Sequence, residues 1–384
     1  MDDKTIFTPV TPYHDTLAGL GHNKSISDKL VLVHDEVRGH YPFIDRIAVA
    51  MYEPERDLLK TFIYSSKNET PLQFYETTLS ASSSLSEIAR SGNARVVNDT
   101  TIFDGVNKVH ATALGKSGYS SSFTIPFYSD SALAGFIFMN SRHKNVFSEP
   151  ACHGLSPFVY LISLLVLKEI DMTNVLRGSI SSALDLSQHR DPETGAHLQR
   201  MSRYTRVIAT EVAPLHGLND EYVEYIYQFA PLHDVGKIAV PDRILLKPGR
   251  LTEEEFDAMK KHTLIGRDIV DRMLTNLRLQ GMRHTMMLRD IVELHHEAID
   301  GSGYPHGLSG GKIPLAARII AVADIFDALT SSRPYKDAWS NAAAFDELER
   351  ISGSKLDPQC VAALKKNRAV VEEIQNKFTD DPLG

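Results

Sequence analysis

The stretch His295-His296-Glu297-Ala298-Ile299-Asp300-Gly301-Ser302-Gly303-Tyr304-Pro305 decides how this chain is read. Two adjacent imidazoles stand about 100° apart around a helix, so both face inward only where a site is crowded. Two glycines and a proline then interrupt any regular helix from Asp300 to Pro305, which makes that segment a loop able to approach the site. The opposing reading is that this loop only orders helix packing or docks a partner protein, and both roles are compatible. Working outward, metal-capable side chains gather in the C-terminal half: Glu193, His197, His233, Asp234, His262, His295, His296 and Asp324. Glu193 and His197 are four apart and, on a helix, project from one face. His233 beside Asp234 lets the imidazole bind one ion while the carboxylate bridges two. Asp324 and Asp327 share a face of a predicted helix from Leu315 to Leu329, so one can bind metal while the other faces a ligand. Any one of these histidines alone would be read as an ordinary core or surface residue; together they imply more than one ion. Imidazole and carboxylate without thiolate favour iron, manganese, nickel or zinc.

At 384 residues the chain exceeds what one core usually serves, so two domains are expected. The formal net charge of -8 argues against duplex nucleic acid as a partner, since a duplex binder needs a basic surface. Cys152 and Cys360 are too few and too far apart for a disulfide framework or a thiolate zinc site. Met1 to Pro12 lacks the basic-then-apolar pattern of a signal peptide. The most apolar run, Phe158 to Leu167, is shorter than the roughly 20 residues a membrane span needs. A cytoplasmic protein without a membrane span is therefore expected.

Residues 27 to 155 read as α+β with an antiparallel sheet. Arg46 to Tyr52 and Leu58 to Tyr64 form one predicted hairpin, Ser121 to Tyr128 and Leu133 to Met139 a second around Ser129-Asp130-Ser131. Ser84 to Arg90 reads as helix, Arg95 to Asn98 as strand, and Asp99 to Lys116 as a polar loop. From Ser156 the pattern becomes helical. Phe158 to Leu186 is predicted as one connecting helix with Gly178 as a weak point, and Thr252 with Glu255 as a capping box. The expected organisation is thus an N-terminal extension (1–26), a first domain (27–155), a connecting helix (156–190) and a helical domain (191–384).

His233-Asp234-Val235-Gly236-Lys237, with the stretch from His295 to Pro305, resembles the two signatures of the HD-GYP phosphodiesterases. The resemblance covers roughly residues 175 to 370 and includes Asp191 to His197, Ile244 to Leu251, Met259 to Gly266 and Ile313 to Lys336. It implies an all-helical HD fold, cyclic di-GMP as substrate, and two or three metal ions, iron first among them, with manganese or another divalent metal as alternatives. The eight residues above become the ligands, with Asp234 bridging. Glu193 favours three ions, because members holding three irons resemble this sequence there. In the family, residues matching Lys237, Arg333 and Lys336 contact substrate phosphate or guanine, and those matching Asp191 and Asp327 approach the nucleotide. Tyr304 could stack on a base or bond a phosphate. His233, Asp234 and Lys237 are the expected catalytic residues. A hydroxide bridging the ions would attack phosphorus, giving pGpG and, with a third ion, GMP.

Residues 27 to 155 resemble a GAF sensor domain in strand and helix order. That implies an unknown small ligand or a dimer contact there, and the long helix suits a parallel homodimer. His110 and Cys152 are isolated and do not imply haem or redox chemistry. Two rival functions stand beside the hydrolase: a catalytically silent module that binds the dinucleotide or recruits diguanylate cyclases (GGDEF proteins), and a phosphohydrolase acting on mononucleotides. The complete ligand set speaks against the first, and Arg333-Pro334-Tyr335-Lys336 with the Asp300 to Pro305 loop against the second. The mixed guanine-adenine dinucleotide stays open as a substrate.

Overall fold

The computed structural model describes residues 19–21, 24–66, 73–103, 118–185, 195–280, 284–331 and 338–379. The first unit opens with α1 (Ile26–His40), started by a capping box in which Ser25 and Asp28 each bond the other's backbone amide. Ile26, Leu30, Val33 and Val37 recur at helical spacing and are all buried. There follow β1 (Arg46–Glu53), β2 (Leu58–Ser66), β3 (Glu76–Thr78), α2 (Ser83–Ser91), β4 (Arg95–Val97), β5 (Ser121–Ser129) and β6 (Ala132–Ser141). The strands make one antiparallel sheet in the order β3-β2-β1-β6-β5-β4. Both expected hairpins are present. In the second, Asp130 and Ser131 adopt φ of 46° and 70°, the paired left-handed conformation that a two-residue hairpin turn requires. The expected polar loop lies, beyond Phe103, outside the described residues.

Period-two alternation places helices on both faces of this sheet. Ile47, Val49, Ile137 and Met139 pack in the core that α1 closes, while Ala48, Ala50, Phe136 and Phe138 pack with Leu85 and Ile88 of α2. The exit helix α3 (Glu149–Asp185) starts earlier than the expected Ser156 and runs through Gly178, which is exposed. Leu155, Val159, Ile162 and Val166 complete the first core, and Leu176 and Ile180 belong to the second. One rigid element therefore serves both units, so the expected boundary at 155/156 falls inside a helix. The stretch Glu149–Ile180 is also, by length and composition, apolar enough to cross a membrane. The run Phe158 to Leu167 is the most apolar part of this longer stretch, which also contains Lys168, Glu169 and Asp171.

The second unit comprises α4 (Gly195–Val212), α5 (Asp220–Phe229), α6 (Glu253–Lys260), α7 (His262–Asn276), α8 (Thr285–Leu294), α9 (Leu315–Thr330), α10 (Asn341–Ile351), α11 (Pro358–Lys366) and α12 (Arg368–Lys377). Its described residues contain no strand beyond isolated bridges. Phe326 of α9 sits between Tyr204 of α4 and Phe345 of α10, with ring centroids 5.3 and 4.9 Å away. All three are essentially buried, and this stack holds α9 against α4. The predicted Thr252 and Glu255 capping box starts α6. Thr252→Ala should lower stability by about 1 kcal/mol, read as a shift in the urea midpoint at unchanged slope; no shift would mean that solvent replaces the cap.

A buried polar seam joins the units. Glu221 of α5 accepts from the backbone amides of Ile26 and Ser27 (3.2 Å each) and meets His284 at 2.6 Å. Asp220 accepts from Phe74 N (2.7 Å), and Glu224 pairs with Lys60 of β2 at 2.7 Å. Glu169 of α3 receives Lys29 at 3.2 Å and the Tyr225 hydroxyl at 3.1 Å. Burial opposes ionisation of Glu224, but Lys60 and Arg206 hold its carboxyl down at about 2.

Candidate metal centre

Five segments deliver the centre's side chains. His197 lies in the first turn of α4, and His233 and Asp234 in the tight turn after α5. His262 opens α7, His295 and His296 follow α8, and Asp324 projects from α9. Gly236 makes the convergence possible. A Cβ there would lie 1.8 Å from His262 O, so only glycine lets the His233–Asp234 turn lie against the start of α7.

Ligand-capable atoms form two groups: Asp234, His262, His295 and His296; and His197, His233 and Asp324. Within each group these atoms lie within 4.8 Å of one another. The hydrogen bonds on the far side of each ring explain the orientation. Nδ1 of His233 donates to Ala230 O (2.9 Å), that of His262 to Met259 O (2.8 Å), and that of His295 to Ile291 O (2.9 Å). A carbonyl only accepts, so each Nδ1 carries the proton and each Nε2 turns a lone pair inward. His262 and His295 approach Asp234 Oδ1 at 3.1 and 3.5 Å, yet without hydrogen-bond geometry. Buried acceptors facing one another across a short gap fit metal ions. Burial pushes His295 down and His296 well down, keeping both imidazoles neutral and able to ligate. Burial also opposes a charged Asp234, but Lys237 at 2.8 Å and His233 outweigh it, and the carboxyl stays well below the usual range.

Several expected residues have other places. Lys237, expected on substrate phosphate, ion-pairs with Asp234. Asp327, expected at the nucleotide, is 1% exposed: it meets His197 Nδ1 at 2.8 Å and accepts from Arg200 Nε and Nη2 at 2.6 and 3.0 Å. Asp324 and Asp327 do share a face of α9, and there Asp327 is held by His197 and Arg200 of α4. Tyr304 donates its amide to His296 O (3.1 Å) and lays its ring 4.7 Å from the His296 ring, at the edge of the centre. Asp191, Glu193, Arg333 and Lys336 lie outside the described residues. Sequence reasoning missed Arg200 and Glu297. Arg200 stands three residues after His197, the same-face spacing already used for Asp324 and Asp327. Glu297 is buried and accepts from the amides of His306 (2.7 Å) and Leu308 (2.8 Å), which ties the Asp300 to Pro305 loop to the ligand pair.

α8 carries one strained carboxylate beside the centre's helix end. Burial and neighbouring Glu293 push Asp290 up to about 6. A carboxyl raised above its unfolded value of 3.8 binds its proton longer in the folded state, so stability falls as pH rises from about 4 through about 6. Asp290→Asn should therefore raise the melting temperature above that window and leave it unchanged below. Parallel melting curves that keep one offset at every pH would contradict the assignment.

Residues 190–360 match the HD domain family. Over 203 residues the chain is 45% identical to the "Cyclic di-GMP phosphodiesterase response regulator RpfG" of Xanthomonas campestris, covering 53% of this chain and 51% of that protein. It is 42% identical over 196 residues to a "Cyclic di-GMP phosphodiesterase" of Thermotoga maritima (51% and 50%). It is also 37% identical over 195 residues to the "3'3'-cGAMP-specific phosphodiesterase 2" of Vibrio cholerae (51% and 35%). The chain thus spans about half the length, or less, of these curated relatives. Among solved structures, a GAF domain from an Acinetobacter phosphotransferase is similar at 12% identity and a TM-score of 0.31, covering 40% of this chain and 89% of that one. The segment that carries the metal-capable cluster thus lies within the part of the chain, residues 190–360, that is similar to the HD domain family.

Proposed function

We propose that this chain is a metal-dependent phosphodiesterase that hydrolyses cyclic di-GMP to pGpG and on to GMP. The observation that carries this reading is the inward turn of imidazole lone pairs from separate segments around the buried Asp234 carboxylate. His197, His233, His262, His295, His296, Asp234 and Asp324 would hold the ions, with Glu193 as an eighth ligand and iron as the preferred metal. Bound there, the ions supply Lewis acidity for the phosphoryl oxygens and lower the pKa of water enough to make it a nucleophile near neutral pH. The protein's own part is orientation and exclusion of solvent. The carbonyls of Ala230, Met259 and Ile291 fix three ring tautomers, and Asp327 fixes His197. Lys237 keeps Asp234 ionised as a bridging carboxylate must be, and Tyr304 offers an aromatic face where a base would enter. Asp191, Arg333 and Lys336 are proposed to contact the nucleotide.

The test is turnover of cyclic di-GMP by anaerobically prepared, iron-loaded protein, with products separated over time and a His233→Ala, Asp234→Ala double variant beside it. Appearance of pGpG followed by GMP, absent in the variant, supports the reading. Loaded protein that binds the dinucleotide and leaves it intact would make this a silent binding module. The 37% identity to a 3'3'-cGAMP-specific enzyme makes that dinucleotide the competitor to run in parallel.

A further inference from the structure

A second concavity, remote from the metal-capable cluster, lies where the β1–β2 connection and β3 of the first unit meet α4 and α12 of the second. Its volume of about 610 Å³ is within the range that small-molecule sites occupy. Arg203 lines it. This side chain is only 8% exposed, and its Nη1 donates to Gln199 alone, at the backbone oxygen (2.8 Å) and Oε1 (2.7 Å). No carboxylate pairs with it among the described residues, and its Nε finds no hydrogen-bond partner there. A guanidinium desolvated this far without a counter-ion is an unmet demand for negative charge.

The rest of the lining has the same bias. Arg206 and Glu76 neutralise each other, and Glu211 is taken by Lys366. That leaves Lys377 and Arg56 beside Arg203 against Glu373, with Arg56 only loosely held by Glu53 at 3.8 Å. Between these charges the wall is apolar and aromatic, with Phe74, Val207, Val370 and Phe378 contributing. The Phe378 ring lies 3.9 Å from the Arg203 guanidinium carbon, so an aromatic group is already stacked on this cation.

We propose that this cleft is a binding site for a small organic anion carrying a flat ring, of the size of a nucleoside monophosphate, with Arg203 and Lys377 facing its negative group. The site does not depend on the metal chemistry. It is built on α4, whose first turn carries His197 six residues before Arg203, about 9 Å along the axis. A ligand there would touch both units and the helix that positions a metal-capable residue.

The experiment is calorimetric titration of chelator-treated wild-type protein with GMP, using guanosine and inorganic phosphate as probes lacking the charge or the ring. Arg203→Gln and Lys377→Glu are titrated beside it. Lys377 is exposed, so its charge reversal keeps the test valid even if Arg203→Gln misfolds. Saturable GMP binding that weakens at least tenfold in Lys377→Glu, with both partial probes weaker than GMP, supports the site. Absence of binding, or binding indifferent to Lys377→Glu, overturns it. Both results are read without turnover, so they stand apart from success or failure of the hydrolase reading.

Discussion

Asp234→Ala should empty the metal centre and reduce cyclic di-GMP turnover by well over the 10–100-fold that loss of an outer-shell partner typically causes. Asp234 meets three of the imidazoles around it. Its Oδ1 faces His262 and His295 at 3.1 and 3.5 Å, its Oδ2 lies 3.2 Å from His233, and Lys237 holds its charge from 2.8 Å. Asp234→Asn is the informative companion, because it keeps the shape and removes the charge. It should retain the fold by circular dichroism and still lose most of the metal by elemental analysis. Full metal content and turnover in both variants would sink the assignment of Asp234 as the central ligand.

The second large effect is expected at Asp327, through the side chains that it holds. Asp327 is buried and shared between Arg200 and His197. Burial opposes its charge, while His197 and Arg200 together keep its carboxyl below the ordinary value. Asp327→Ala leaves the Arg200 guanidinium, itself only 4% exposed, without that carboxylate, a loss typically worth about 3–5 kcal/mol. It also frees the His197 ring from its orienting acceptor, which should weaken metal binding by about 10–100-fold. Urea unfolding and chelator competition read the two effects separately. The competing expectation, an Asp327 that contacts the nucleotide, predicts a higher KM with unchanged stability. That pattern would refute the orienting role.

What the sequence made legible was chemistry with a short range. The capping box at Thr252, the two hairpins and the loop after His296 all follow from residues close together in the chain. The role of Asp327 did not, because whether a carboxylate on the inner face of α9 meets substrate or an arginine depends on α4, more than a hundred residues earlier. Helix α1 is not among the expected elements, although Ile26, Leu30, Val33 and Val37 carry its period. The exit helix starts at Glu149, seven residues before the expected change at Ser156, and continues through Pro157 in its interior.

The seam between the units has a mechanical meaning. Its carboxylates, Glu169, Asp220, Glu221 and Glu224, are covered on both sides, and each is held by a group from the other unit or from the helix they share. Such contacts do not stretch by degrees: once water reaches one charge, the low-dielectric surroundings that strengthen the others are gone. A junction of this kind should give way as a unit, like a latch, rather than yield by degrees. Because α5 ends at Phe229 and a single tight turn leads to His233 and Asp234, the bolt of that latch is joined directly to the ligands it would release or hold.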